Sequence, residues 1–60
     1  MNDKEIYLQA LKTNQGKTDE ITLGEQLGIN EENTQKIISQ LLTEHKISFE
    51  LSGLCNYKTK

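Results

Sequence analysis

The sequence predicts a small α+β domain: three helices followed by a C-terminal β-hairpin. Three observations carry that expectation. Between Glu31 and His45 the apolar residues recur three and four apart, the period of an amphipathic helix. Ile47, Phe49 and Leu51 alternate with Ser48 and Glu50, the period of a half-buried strand. Gly16, Gly28 and Gly53 stand where the periods break, as punctuation between elements.

The elements follow in order. Asn2 and Glu5 have the spacing of a capping box, which starts a helix at about Asp3 and carries it to about Asn14. Ile6, Tyr7, Ala10 and Leu11 share its apolar face, while Leu8 falls off that stripe and either widens it or stays exposed. Gly16 suits the left-handed position after a helix end. In "TDEITL", Ile21 and Leu23 alternate with polar neighbours, which allows a short strand ending near Thr22. Thr22 and Glu25 make a second capping box, opening a short helix through Leu27 that Gly28 stops. Asn30 is the expected N-cap of the third helix, about Glu31 to His45. Its buried side holds Thr34, Ile37, Ile38, Leu41, Leu42 and His45; Glu32, Lys36, Ser39, Gln40 and Thr43 lie on the other.

Ser52-Gly53 marks the turn of the hairpin. A two-residue loop there would pair Phe49 with Asn56 and put Tyr57 on the polar face. A three-residue loop, Leu51-Ser52-Gly53 with Gly53 left-handed, keeps Cys55 and Tyr57 on the face of Ile47 and Phe49. It is preferred, because a one-residue slip inverts every side chain. Tyr7, Phe49 and Tyr57, the three aromatic residues, then all occupy core-compatible positions.

Composition narrows the function classes. A chain of 60 residues with 33 % hydrophobic side chains, read as one domain over 1–60, fills one thin core and leaves no room for a buried catalytic cleft. Cys55 is the only cysteine, so no internal disulfide forms, and a reducing compartment fits. The polar, acidic "MNDKEIYLQA" is unlike a secretion signal, and no run of apolar residues approaches a membrane span, so a cytoplasmic location away from membranes is expected. Net charge is −2, Arg is absent, and charge is uneven: four lysines meet eight carboxylates in residues 1–44, whereas Lys46, Lys58 and Lys60 meet only Glu50 in residues 45–60. A nucleic-acid surface, if present, should include the C-terminal end.

Leu23 to Ile37, "LGEQLGINEENTQKI", resembles the helix-turn-helix consensus, and with the hairpin behind it the chain is similar to the winged-helix DNA-binding proteins over nearly its whole length. Gly24 matches the small residue where two helices approach, Leu27 the core plug, Gly28 the left-handed turn, Ile29 the residue beneath the turn, and Ile37 the anchor of the second helix. Leu23 stands where the family prefers an aliphatic; Thr34 departs from its usual Val or Ile. The resemblance implies a small winged helix whose third helix lies in the major groove and whose hairpin touches backbone or minor groove. Carried over residue by residue, the groove-facing candidates are Asn33, Gln35, Lys36, Ser39 and Gln40: Asn and Gln suit adenine, and Lys36 suits guanine or phosphate. Lys58 and Lys60 are phosphate candidates. Double-stranded DNA is the implied partner, and transcriptional or mobile-element regulation the implied role. The family mostly binds in pairs, but the extra helix that often builds the dimer is missing, so a monomer or weak homodimer is expected.

Each candidate also has an ordinary explanation. Glu31 and Glu32 favour the dipole at a helix start; near a groove they repel phosphate, and they also offer an acidic patch to a basic protein partner. Gln35, Lys36, Ser39 and Gln40 are the polar side of an amphipathic helix, and one lysine is few for a DNA reader. Lys46, Lys58 and Lys60 either anchor phosphate or keep the last strand from pairing with other chains. His45 and Cys55 lack the companions a metal site or a nucleophile needs. No phosphate loop, nucleotide-binding glycine pattern or serine-nucleophile elbow occurs, so no cofactor, no metal and no catalysis are expected. Two readings follow: a DNA-binding regulator, or a protein-interaction module that uses its acidic helix-turn-helix surface without binding DNA. A continuous positive strip from the third helix to the hairpin favours the first; a neutral or negative face favours the second.

Overall fold

A computed structural model describes residues 2–60, with the backbone alone at Ser52. The order is α1 (Asp3–Asn14), α2 (Glu20–Gln26), α3 (Glu31–Thr43), β1 (Ile47–Ser52) and β2 (Cys55–Thr59). Three helices followed by an antiparallel hairpin make this the α+β architecture of a small winged helix.

Each helix starts at a side-chain cap. Asn2 Oδ1 accepts from the Glu5 N–H at 2.9 Å, and Asn30 Oδ1 from the Asn33 N–H at 2.8 Å, as the capping spacing predicts. The start of α2 differs from expectation. Asp19, not Thr22, is the N-cap, its carboxylate accepting from the Thr22 N–H at 3.1 Å. The helix therefore begins three residues earlier, and among the described residues no strand forms in "TDEITL". Local alternation lost to a better cap and to the bracket before it: Asn14 donates from Nδ2 to the Thr18 carbonyl at 2.7 Å and accepts the Thr18 N–H at 3.0 Å. That pair of bonds turns the chain straight from α1 into α2.

α3 ends at Thr43, two residues before the expected His45. Glu44 is the C-cap and His45 is left-handed, with φ 61°. The His45 N–H donates to the Leu42 carbonyl at 3.1 Å and the Lys46 N–H to the Leu41 carbonyl at 2.9 Å. These two bonds are the Schellman closure, in which His45 takes the place that glycine usually fills. His45 is accordingly exposed rather than part of the buried side.

The core is Tyr7, Leu11, Leu23, Ile29, Ile37, Ile38, Leu41, Ile47 and Cys55. Leu8 packs against it with Ala10, Leu27, Leu42 and Tyr57, so it widens the buried face of α1. Gly24 meets Thr34 where α2 crosses α3: a Cβ on Gly24 would lie 2.9 Å from Thr34 Cγ2 and closer still to its hydroxyl. Thr34 is wholly buried, and its hydroxyl has no hydrogen-bond partner among the described residues. The departure at Thr34 and the missing side chain at Gly24 thus sit in one contact.

In the hairpin, Tyr57 lies opposite Phe49, so the expected facing holds. The loop does not. β1 runs on to Ser52, the turn is Gly53-Leu54, and a register shift between Phe49 and Ser52 absorbs the difference. Gly53 is left-handed and packs on Gly16, whose carbonyl accepts the Leu54 N–H at 2.9 Å. β2 is fastened further by Glu20, whose carboxylate accepts from the Asn56 backbone N–H at 3.2 Å and from Asn56 Nδ2 at 3.3 Å. Phe49 departs from its expected place in the core: it is 62 % exposed, its ring edge-on to Tyr57 with centroids 5.7 Å apart.

Candidate nucleic-acid interface

The sequence-derived candidates on α3 are all exposed: Asn33, Gln35, Lys36, Ser39 and Gln40. At 3.6 residues per turn, the side opposite buried Thr34, Ile37, Ile38 and Leu41 carries Glu32, Lys36, Ser39 and Thr43. The centre of the outward face therefore includes a carboxylate beside its single lysine. Lys36 Nζ lies 3.7 Å from Glu32, one turn earlier. Gln35 Nε2 donates to the Glu31 carboxylate at 3.3 Å. Both glutamates hold the side chains that would have to reach a base or a phosphate.

The remaining candidates divide between the two flanks. Asn33, Lys36 and Gln40 line a shallow cleft of about 380 Å³ with Asn2, Asp3, Lys4 and Ile37, against the start of α1. Gln35 and Ser39 line a groove of about 310 Å³ on the other flank, where α3 meets α2 and the hairpin. Its other walls are Glu20, Ile21, Ile38, Leu42 and Tyr57. None of these is a lysine.

The hairpin lysines lie outside the groove between α3 and the hairpin. Lys58 lines a separate cleft of about 410 Å³ with Leu11, Lys12, Gln15, Gly16 and Tyr57, at the end of α1. Lys60 ties its N–H to the Lys46 carbonyl at 3.2 Å, at the opposite end of the hairpin from the turn. There Lys46 and Lys4 both hold Glu44, with Nζ to carboxylate distances of 3.3 and 2.5 Å. The Lys4 hydrogen bond, with help from Lys46, holds the Glu44 carboxyl below the ordinary carboxylate range. Lys4 both lines the cleft beside Lys36 and reaches Glu44 at the base of the hairpin, so Lys36, Lys4 and Lys46 border one side of the domain with Asp3 and Glu44 among them, whereas Lys58 stands apart and no lysine lines the groove between α3 and the hairpin.

Sequence patterning missed two features of this surface. Glu20 fastens the hairpin to α2, a pairing across 36 residues that no local spacing encodes. Phe49, Leu51 and Leu54, large apolar side chains of the hairpin, are 62, 74 and 68 % exposed. Alternation alone assigned Phe49 to the core, whereas the position of Leu54 outside the strand pattern was a visible signal. Cys55 is buried, its thiol donating to the Tyr57 carbonyl at 3.2 Å, and burial pushes its pKa up. No helix among the described residues is long and apolar enough to cross a membrane. No family model, no curated protein and no solved structure matches the chain.

Proposed function

We propose that this chain is a winged-helix protein-interaction module that presents the flank of α3 and the adjoining hairpin to a basic partner segment. The groove between α3 and the hairpin supports this most directly. Ile21, Ile38, Leu42 and Tyr57 give it apolar walls, and Glu20 stands among them. Glu31 and Glu32 border the same helix face, and Glu32 takes up the charge of Lys36. An apolar side chain of the partner would enter the groove, and its cations would meet Glu31 and Glu32. A polyanion meets the reverse: low positive charge where a helix-turn-helix protein needs several phosphate contacts.

Double-stranded DNA is the second reading. It is favoured by the uncovered Asn33, Gln35, Ser39 and Gln40, which have the chemistry to read base edges. In that case the role is transcriptional or mobile-element regulation, with Lys36 in the groove and Lys58 and Lys60 on the backbone.

A photo-cross-linking side chain at Ser39, in the groove wall, distinguishes the two in the cells that make the protein. The expected product is a discrete protein adduct that disappears when Glu31 and Glu32 are both changed to Lys. Adducts to DNA, or a protein adduct indifferent to that charge reversal, contradict the proposal.

A further inference from the structure

We propose that the cleft between the end of α1 and β2 binds a small soluble phosphate monoester with an apolar body. Lys12 on α1 and Lys58 on β2 both line it, with Leu11, Gln15, Gly16 and Tyr57, and no carboxylate is among these lining residues. The other two clefts each bring in an acid, Glu20 in one and Asp3 in the other. Elsewhere on this surface lysines meet glutamates: Lys4 and Lys46 hold Glu44, and Lys36 holds Glu32. Among the described residues neither Lys12 nor Lys58 has such a partner. Lys12 favours the closing dipole of α1, whereas Lys58 stands on a strand and has no helix end to serve.

The elements that carry the two lysines are fixed to each other without a ligand. Lys58 lies in the paired part of β2, opposite Ser48, and Lys12 in the last turn of α1. The Gly16 carbonyl accepts the Leu54 N–H at 2.9 Å, which fastens the loop after α1 to the hairpin. The Asn14 carbonyl accepts the Lys17 N–H at 3.1 Å, so two carbonyl oxygens at this end of α1 are already taken. Charge and lining then select the ligand class. Two ammonium groups match a phosphate monoester, which carries about −1.5 to −2 near neutral pH, better than they match a single carboxylate. Gln15 adds an amide donor for a phosphate oxygen. Leu11 and Tyr57 supply an apolar wall for the body of the ligand, and a volume of about 410 Å³ is that of a small-molecule site. Tyr57 is the one residue this cleft shares with the α3 groove, so the proposal does not depend on the partner reading.

The test is titration of the full chain with phenyl phosphate, followed through the amide signals in two-dimensional NMR. Saturable shifts centred on Leu11, Gly16 and Tyr57 are expected, with a Kd on the order of 1 mM. Lys12→Gln and Lys58→Gln should each weaken binding about fivefold. Lys17→Gln removes the same charge from a lysine outside the cleft and should change binding less than about twofold. Phenol and inorganic phosphate each supply half of the ligand and should bind at least about threefold more weakly than phenyl phosphate. Phosphatidate vesicles present the same group on a surface that repels a chain of net charge −2, and should not sediment it. All three substituted lysines are exposed, so a thermal melt of each variant establishes that it is folded. Shifts that do not saturate, cleft variants that bind like the parent, or a Lys17→Gln loss equal to theirs would each overturn the site. Phenol or inorganic phosphate binding as tightly as phenyl phosphate, or sedimentation with the vesicles, would overturn the ligand class.

Discussion

Lys36 Nζ lies 3.7 Å from the Glu32 carboxylate, on the side of α3 that points away from the core. Both side chains are mostly exposed, so the pair contributes little to stability, on the order of 0.3–0.5 kcal/mol. Its consequence is electrostatic: the one lysine on the face that would meet DNA is already engaged. Glu32→Gln should shift the melting free energy by no more than about 0.5 kcal/mol. The same substitution should weaken binding to a basic partner. A large loss of stability on melting would mean that Glu32 is structural rather than presented.

His45 occupies a left-handed position with φ 61°, where a Cβ is disfavoured. Its imidazole is exposed. His45→Gly should therefore stabilise the chain by about 1 kcal/mol, read as a rise in the denaturant midpoint at constant slope. A fall in the midpoint would show that the side chain makes a contact worth more than the backbone strain.

Gly24 and Thr34 share one contact, and a Cβ at Gly24 has no room beside the Thr34 side chain. Gly24→Ala should destabilise by about 1–3 kcal/mol, the range for overpacking a closed site. Thr34→Ala in the same chain should recover part of that loss, because it clears the overlap. Simple additivity of the two changes would mean that the helices separate some other way.

Stability should fall at both ends of the pH scale. The Lys4 hydrogen bond holds Glu44 below its ordinary value of 4.5, and the Thr22 side chain and N–H hold Asp19 below 3.8. A carboxyl with a depressed folded pKa contributes stability above its unfolded value and loses it as pH falls through the folded one. The acid decline should therefore begin near 4.5 and continue below 3.8, and Glu44→Gln should remove its first part. Tyr7 is the opposite case. Burial, then Cys55 and Glu20, raise its phenol above the ordinary 10.0, so its contribution is full below that pH and declines as pH rises beyond it. Tyr7→Phe should flatten the alkaline decline while losing the 2.8 Å bond to the Glu20 carbonyl. Unchanged pH profiles in both variants would contradict these assignments.

Local chemistry explains which parts of this fold were legible from the chain. Asn2 and Asn30 cap their helices through a side chain three residues from its donor, a relation that spacing alone conveys. The buried stripe of α3 and the facing of Tyr57 toward Phe49 follow from period. The misassignments arose where two local solutions competed. Thr22 and Asp19 both offered a cap to α2, and Asp19 prevailed with the Asn14–Thr18 bracket in front of it. His45 continued the helical period but stands where the Schellman closure ends it. Glu20 and the α3 groove depended on contacts between distant segments, which no window of sequence contains. For the candidate site, residue exposure on α3 was legible, whereas the lysine-free lining of the groove beside it was not.

Titration with a mixed-sequence DNA duplex, at about 50 mM and then about 150 mM salt, tests the central claim most directly. With Lys36 engaged by Glu32 and no lysine lining the groove between α3 and the hairpin, no complex should form at either salt. A complex at the lower salt that weakens at the higher, and whose salt slope drops by about 1 on Lys36→Ala, would contradict the account and establish α3 as a DNA-contacting helix.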